Sequence, residues 1–197
     1  VAGQGGGGRR PVRAVDHLSL LRGLVGELHA EEEIEIPLLV LRLATEYFER
    51  GVLFAVRDNQ AEGAGAFGGE SEGEPANGLD GRVRGVALPL LAGSLLETAV
   101  RTRAPYVGPI DSTDPNAPLI DKLGAPPPQE GALLPVSAGR QVFAVLYGDN
   151  AASARPVGDL RGLEIFVAQA GIALQNAALQ RRLSELAAGG RGGGAHA

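Results

Sequence analysis

The chain has 197 residues, the length of a single domain with or without tails. Its hydrophobic content of 44% is enough for a buried core, and its net charge of −5 includes no basic block of the kind that binds nucleic-acid phosphates. Because cysteine is absent, the sequence excludes disulfides, thiolate nucleophiles and thiolate metal ligands. These features favour a protein of a reducing compartment with no nucleic-acid partner.

The apolar runs are short, and glycine is concentrated at both ends. No run reaches the roughly 20 residues that span a bilayer, and the N-terminus lacks the apolar core of a signal peptide, so we expect a cytoplasmic protein with no membrane partner. The glycine runs predict a flexible linker over residues 1–14 and a flexible tail over 188–197, around one domain at 15–187. The absence of methionine suggests a piece of a longer polypeptide or a processed chain, which favours a module over a complete protein.

Two helices are predicted before the first strand. In the first, residues 15–30, apolar residues alternate at spacings of three and four, which is typical of a helix that packs on another helix. The second begins near Pro37 after three glutamates, and Gly51 stands where a left-handed cap belongs, so its predicted end is about Arg50. The apolar positions of the first helix are Leu18, Leu21, Val25 and Leu28.

A hairpin and a third strand follow. Residues 52–56 form a β-branched and aromatic run, the pair at 58–59 favours a turn, and Gln60–Phe67 returns as a weaker strand because its small residues offer little surface to pack. A loop rich in glycine and glutamate over 68–78 leads to a third predicted strand at 82–90.

The second half of the chain begins with a capping box, in which Ser94 and Glu97 open a helix over Leu95–Thr102. A brief strand at 105–107 follows, and then a short helix that ends before Gly124.

Two apolar strands, 131–136 and 141–147, then form a hairpin, and a closing helix is predicted over 159–186. This helix carries two apolar stripes, and a helix with two apolar faces needs two partners. One stripe consists of Leu163, Val167, Ala170, Leu174 and Ala177, and the other of Ile172, Asn176, Leu179, Leu183 and Leu186.

The order of these elements predicts an α/β fold of the α+β kind, with a mostly antiparallel sheet, helices on its faces and long terminal helices. Three stretches also resemble GAF domains. They are SLLETAVRTRAPYV at 94–107, LPVSAGRQVFAVLYGDN at 134–150, which resembles the late hairpin, and DLRGLEIFVAQAGIALQNAAL at 159–179, which resembles the closing helix. The resemblance implies a six-stranded sheet, a ligand cleft above it and terminal helices that pair into a homodimer.

The resemblance also narrows the chemistry. GAF domains that bind linear tetrapyrroles covalently, and the related enzymes that reduce free methionine sulfoxide, use a cysteine, which this chain lacks. The asparagine, lysine, phenylalanine, aspartate and glutamate pattern of cyclic-nucleotide-binding members has no convincing match, and the sole lysine is Lys122. We therefore expect no cofactor.

Six residues are candidates for contact with a small ligand, because GAF clefts are commonly bounded by the third strand and the segments around the small helices. An alternative interpretation is that Asp114 and Asn116, which flank Pro115, cap a turn or a helix. Asp149 and Asn150 are similarly ambiguous, and a loop tip is their expected place. The six candidates are Asp111, Asp114 and Asn116 as the central polar group, with Arg84, Tyr106 and Tyr147 as wall residues.

Three other polar residues have simpler interpretations. His17 and His29 lie on the first predicted helix, and we interpret them as surface histidines rather than metal ligands, since zinc sites converge three or four ligands. Asn176 interrupts an apolar stripe, where it either fixes the register of packed helices or makes an intramolecular hydrogen bond.

These features are compatible with three functions. The first is a non-catalytic sensory or regulatory module of a bacterial signalling protein, dimerising through its terminal helices, with neighbouring signalling domains and a small-molecule ligand. The second is a structural protein-interaction domain whose cleft is filled by its own side chains. The third, an enzyme using Asp111 and Asp114, lacks a nearby histidine or a nucleophile motif, so we expect no catalytic activity.

Overall fold

The computed structural model describes residues 35–69, 78–112 and 114–189. The helix predicted over 15–30, with both of its histidines, lies outside the described residues. The described helices are α1 (Ile36–Ala44), α2 (Gly78–Val83), α3 (Leu95–Thr102), α4 (Ala117–Leu123) and α5 (Arg161–Gly189). The described strands are β1 (Arg50–Arg57), β2 (Gln60–Phe67), β3 (Ala87–Pro89), β4 (Tyr106–Pro109), β5 (Glu130–Ala138) and β6 (Gln141–Asp149).

The six strands form one sheet in the order β3-β2-β1-β6-β5-β4, and every neighbouring pair is antiparallel. The predicted α+β fold with a six-stranded antiparallel sheet is therefore confirmed. The hairpins β1-β2 and β5-β6 meet at the centre, where β1 pairs with β6. This central pairing places Arg50 opposite Asp149, although the two residues are 99 positions apart in the sequence.

Helices cover both faces of the sheet and divide the core into two layers. On one face, α1 and α5 bury Leu43, Leu163 and Phe166 against the central strands. On the other face, α2, α3 and α4 cover a second apolar layer that includes Phe54 and Tyr147. We call this second side the α2–α4 face.

Local signals for the first hairpin and for α3 are confirmed. Asp58 and Asn59 have φ angles of 48° and 62°, the left-handed conformation that a two-residue type I′ turn requires at both central positions. The Ser94 hydroxyl accepts a hydrogen bond from the Glu97 backbone N–H at 3.1 Å, so the capping box forms and α3 has its predicted bounds.

The second predicted helix is too long, because α1 ends at Ala44 rather than at about Arg50. The Glu49 backbone N–H donates to the Asp149 carbonyl at 3.1 Å, which brings this part of the chain onto β6. Gly51 lies inside β1 instead of capping a helix. A side chain there would overlap the Phe67 ring on β2, so this glycine permits close packing across the sheet.

The prediction of a strand at 82–90 is also wrong over most of that range. Residues Gly78–Val83 form α2, which buries Leu79 and Val83 one helical turn apart, and only Ala87–Pro89 pair with β2. Asp80 fixes this short helix to the sheet, because its Oδ1 accepts the Ala66 backbone N–H at 2.9 Å.

Candidate functional site

The α2–α4 face is where the resemblance to GAF domains implies a ligand cleft, and its central side chains are densely packed. Four neighbouring side chains of the central strands pack together on this face, and each is at most 1% exposed. They are Phe54, Leu133, Val145 and Tyr147. A cavity of about 10 Å³ lies near this layer, between Leu88 and the segments that begin α3 and α4. That volume holds about one water molecule, so this gap is too small for a metabolite.

A buried polar cluster lies at the edge of the same layer. Arg50 Nε donates to Asp149 Oδ2 at 2.9 Å, and the Tyr147 hydroxyl donates to the same oxygen at 2.7 Å. Arg50 Nη1 also donates to the Leu123 carbonyl at 3.2 Å, at the C-terminal end of α4. The cluster therefore joins β1, β6 and α4 through charge-assisted hydrogen bonds.

Burial and charge set the acidity of this cluster. Burial raises the pKa of the Tyr147 hydroxyl well above its usual value, and the neighbouring Asp149 carboxylate raises that pKa further. Tyr147 consequently stays a hydrogen-bond donor at neutral pH. Its predicted role as a cleft wall differs from its observed surroundings, because its side chain is fully buried and bonded to Asp149.

Asp149 and Asn150 are not at a loop tip, contrary to expectation. They end β6 inside the protein, at 0% and 3% exposure. The Asn150 side-chain oxygen accepts the Glu49 backbone N–H at 3.0 Å, and Asp149 Oδ1 accepts the Ala151 backbone N–H at 2.9 Å. Both residues thus anchor the chain segments that meet where β6 ends.

Two of the candidate ligand residues lie towards opposite edges of the sheet. Arg84 follows α2 beside β2, where it pairs with Asp80 at 2.9 Å and donates to the Ala64 carbonyl at 3.1 Å. Tyr106 lies on the edge strand β4, and its hydroxyl donates to the Pro109 carbonyl at 2.6 Å. Because β2 and β4 are four strand spacings apart, roughly 19 Å separates them.

The central candidates also differ in their surroundings. Asp111 and Asp114 are exposed, whereas Asn116 is buried. The Asn116 side-chain oxygen accepts the Leu95 backbone N–H at 2.8 Å, so it caps α3 rather than the helix that it precedes. The capping interpretation thus describes Asn116, and the six candidates do not converge on one cavity among the described residues.

A larger cleft lies at the end of the sheet where β5 begins and β6 ends. Its volume is about 270 Å³, and its walls are the segments 126–130 and 150–156. Proline rings from both segments line it, together with the side chains of Gln129, Glu130 and Arg155. No sequence pattern points to this cleft, because its walls come from two loops whose proximity depends on the strand order.

The closing helix α5 presents an apolar stripe to solvent. Ile165, Ile172, Leu179 and Leu186 recur every seven residues and are 46–74% exposed, and Leu183 is 67% exposed. Asn176 is exposed on the same side. The described residues therefore leave the second predicted stripe exposed to solvent. In the first stripe, Leu163, Val167 and Ala170 are buried.

By length and composition alone, α5 is the one helix among the described residues that could cross a bilayer. About a third of its most apolar stretch is buried inside the protein. The N-terminal half packs on β5, where Leu163 and Phe166 are fully buried. The core helix of a globular domain passes the same test, so this apolar character is explained by packing over that half.

No group of three or more histidine, aspartate or glutamate side chains in residues 35–69, 78–112 and 114–189 is arranged to hold a metal ion. Arg50 Nη2 is a buried nitrogen with no hydrogen-bond partner among the described residues. The sequence did not single out Arg50 for a polar cluster, because its carboxylate partner is distant along the chain.

No protein-family model and no curated protein matches this sequence. Solved structures do match. The GAF domain of a phosphoenolpyruvate-protein phosphotransferase from Coxiella burnetii has a TM-score of 0.63 at 15% identity, covering 89% of this chain and 99% of that one. Residues 122 to 287 of a methyl-accepting chemotaxis protein give 0.60 at 19% identity, covering 80% and 98%.

A third similar structure is the phycoerythrobilin-bound GAF domain from a cyanobacterial phytochrome. It has a TM-score of 0.62 at 10% identity and covers 86% of this chain and all of that one. The likeness covers 86–89% of this chain in these two GAF domains, so this chain has a GAF-like fold, as the resemblance implied. At such identities the likeness concerns the fold, and function has to be argued from the surfaces described above.

Proposed function

Since the chain has a GAF-like fold, we propose that it is a non-catalytic regulatory module of a bacterial signalling protein, and that it self-associates through its terminal helices. The observation that carries this proposal is the exposed apolar stripe of α5. Neighbours of the same fold come from a phosphotransferase, a chemotaxis protein and a phytochrome, which supports a place among signalling domains. We place the module in the cytoplasm.

The stripe has the spacing of a helix that pairs with another helix. Ile165, Ile172, Leu179 and Leu186 follow a seven-residue repeat, with Leu183 four residues after Leu179. Contiguous exposed apolar surface of this kind marks an interaction site on a folded domain. A second copy of the same helix offers the same repeat, which makes a symmetric pair the simplest complement.

Asn176 lies four residues after Ile172 and seven before Leu183, so it occupies the second apolar position of the repeat. A single amide there favours a parallel pair in one register, because the two amides can hydrogen-bond to each other only when they are opposite. Of the two interpretations of Asn176, its exposure on this stripe favours the one that fixes register.

Association is tested by sedimentation velocity of the full chain over a wide concentration range. We expect a dimer, which Leu183→Glu converts to monomer. Burying one leucine contributes about 1.5–3 kcal/mol and each dimer buries two copies, so the dissociation constant should rise at least a hundredfold, on the order of 3 kcal/mol. Ser184→Glu is the matched control, since this exposed neighbour points away from the stripe and introduces the same charge.

Two results would contradict the proposal: a monomeric wild-type chain at all concentrations, or equal weakening by Leu183→Glu and Ser184→Glu. The absence of cysteine allows a direct measurement of register. In a parallel pair, Asn176→Cys should form an intermolecular disulfide under mild oxidation, whereas Ser184→Cys should not. Equal cross-linking at both positions would be evidence against a fixed register.

The second candidate function is a structural interaction domain with a self-filled cleft, and the packing of the α2–α4 face favours it. An added side chain at Gly63 would overlap the Val83 carbonyl, so the small residues of β2 let α2 approach the sheet closely. Native mass spectrometry of the gently purified chain separates the candidates, because a retained small molecule would support a ligand sensor. A protein that never retains one supports the structural module.

The non-catalytic part of the proposal is supported by the surroundings of the candidate carboxylates. Asp111 and Asp114 are exposed, whereas a carboxylate acid or base that works near neutral pH needs burial or a close like charge. Product formation should be absent when the chain is incubated with cyclic nucleotides, oxidised amino acids or phosphoesters. Turnover that disappears in Asp111→Ala or Asp114→Ala would make the domain an enzyme.

A further inference from the structure

The cleft between segments 126–130 and 150–156 is separate from the α2–α4 face and from the α5 stripe. We refer to it as the proline cleft. Its volume of about 270 Å³ is slightly below the 300–1,000 Å³ usual for sites that hold drug-sized molecules, so it suits a smaller compound. Pro126, Pro127 and Pro156 contribute stiff apolar walls whose backbone has little freedom to lose on binding.

Three hydrogen bonds hold the segment 150–156 in place, one through its own Asn150 side chain and two through the side chains of Glu49 and Glu130. Asn150 receives the Glu49 backbone N–H at its side-chain oxygen, at 3.0 Å. Glu49 Oε2 in turn accepts the Ser153 backbone N–H at 3.0 Å, and Glu130 Oε2 accepts the Val157 backbone N–H at 3.2 Å. The segment is therefore fixed at its start, its middle and its end, and the cleft is formed before any ligand arrives.

One lining residue has an unfavourable backbone conformation. Ala154 has a φ of 52°, in the left-handed region that costs an L-residue with a side chain about 1–2 kcal/mol. Glycine would relieve this cost, yet alanine occupies the position and lines the cleft. Strain of this kind is concentrated at ligand-binding segments.

The cleft carries one group of each charge. Glu130 uses one carboxylate oxygen for Val157, and its other oxygen has no hydrogen-bond partner among the described residues. Arg155 is 63% exposed, and its contact with Glu49 is 3.8 Å long, beyond hydrogen-bond range, so its guanidinium retains donors for a ligand. Glu49 is already bonded to Ser153, which leaves Glu130 and Arg155 as the charges available in the cleft.

We propose that the proline cleft binds a small zwitterion, an amino acid in the broad sense, with its ammonium group on Glu130 and its carboxylate on Arg155. The methylenes between the two charges contact the proline rings and the Ala154 methyl group. Charge-assisted hydrogen bonds at both ends reject molecules that carry only one of the two groups, because one charged side chain then stays without its partner.

The test uses the full chain and a series of ω-amino acids of increasing length, from glycine through β-alanine and γ-aminobutyrate upwards. Butyrate and butylammonium serve as single-charge controls. Binding is followed by NMR chemical shifts. The backbone amide signals of Ala151 and Ala154 should shift as the cleft becomes saturated with ligand. We expect one chain length to bind best, because the series measures the distance between the two charged groups.

Three variants localise the effect. Glu130→Gln keeps an oxygen for the Val157 N–H but removes the charge, and Arg155→Gln removes the opposite charge from an exposed position. Each should weaken the best ω-amino acid at least about tenfold, the effect of one lost charge-assisted bond. Arg140→Gln, in the turn at the opposite end of β5 and β6, is the charge-matched control and should change nothing.

The proposal is overturned if no member of the series binds, if butyrate or butylammonium binds as tightly as the best zwitterion, or if binding survives both Glu130→Gln and Arg155→Gln. It stands if one chain length binds and needs both side chains. Each outcome can be distinguished from a failure of dimerisation, since no residue of the α5 stripe lines the cleft.

Discussion

The guanidinium of Arg50 and the carboxylate of Asp149 lie 2.9 Å apart on the paired central strands β1 and β6, with side chains 4% and 0% exposed. Arg50 starts β1 and Asp149 ends β6, so the ion pair closes the junction between the two hairpins. Its extra bond from Arg50 to the Leu123 carbonyl also ties this junction to α4. A buried pair of this kind is sensitive to loss of one partner, because the other charge is then stranded in the interior.

Arg50→Met should therefore lower the free energy of unfolding by about 3–5 kcal/mol, as measured by urea denaturation. The double variant Arg50→Met/Asp149→Leu removes both charges, so its loss of stability should be smaller than the sum of the losses in the two single variants, although the Tyr147 hydroxyl and the Ala151 N–H then lack their acceptor. If the double variant is as unstable as the sum of the two single variants, the ion pair is not the source of the effect.

The first hairpin and α3 could be predicted from the sequence because their signals are local. The turn pair Asp58–Asn59 and the Ser94–Glu97 capping box each act within a few residues, and both form as predicted. The end of α1 is set by a long-range contact instead. Arg50 resembles the basic last turn of a helix, but its partner Asp149 lies on another strand and draws the chain into the sheet.

At Gly171 on α5, too, a long-range contact determines which residue the position accepts. A Cβ at this position would overlap the backbone carbonyl of Ser137 on β5 and lie 2.8 Å from its nitrogen. Alanine would gain about 1 kcal/mol of helix propensity, but forcing the helix away from the strand costs about 1–3 kcal/mol, so we expect Gly171→Ala to destabilise the protein.

Gly158→Ala is the matched control for this prediction, since nothing lies within 4 Å of its added Cβ. It should be neutral or stabilising by up to about 1 kcal/mol, because the unfolded chain loses freedom. Equal thermal stability of the Gly171→Ala and Gly158→Ala variants would show that α5 moves away from β5 without cost.

A substitution of Asn116 distinguishes a structural role of this residue from a ligand-binding role. Asn116→Ala leaves the Leu95 backbone N–H without its acceptor, and loss of such a cap costs about 0.5–2 kcal/mol. Asp114→Ala, at an exposed position nearby, should change the unfolding free energy by less than about 0.5 kcal/mol. An Asn116→Ala variant of wild-type stability would return this residue to the group of candidate ligand contacts.

For the candidate site, the sequence predicts which types of residue are present but not what their side chains contact. Tyr147 and Asn116 are polar residues in the expected region, but sequence spacing does not tell whether a polar group faces a cavity or another part of the protein. Tyr147 is bonded to Asp149 two residues later on the same strand, and Asn116 to a helix 21 residues earlier. The walls of the proline cleft are brought together by the strand order.

Ionisation of Tyr147 lowers the free energy of unfolding at alkaline pH. Its folded pKa is raised well above 10.0, chiefly by burial, so the unfolded chain loses the phenolic proton at a lower pH than the folded protein does. The tyrosine therefore contributes its full stability below about pH 10, and this contribution falls by about 1.4 kcal/mol for each further pH unit until the folded pKa is reached.

The difference in unfolding free energy between wild type and Tyr147→Phe isolates this effect, because every other titrating group is common to both proteins. Below about pH 9 the wild type should be more stable by about 1–3 kcal/mol, the value of a hydrogen bond to the Asp149 carboxylate. The difference should shrink as pH rises past about 10 and then change sign, since only the wild type must keep a buried phenol protonated. Urea denaturation at a series of pH values measures it, and a difference that stays constant up to pH 11 would show that the Tyr147 hydroxyl ionises as readily in the folded protein as in the unfolded chain, roughly at its ordinary pKa.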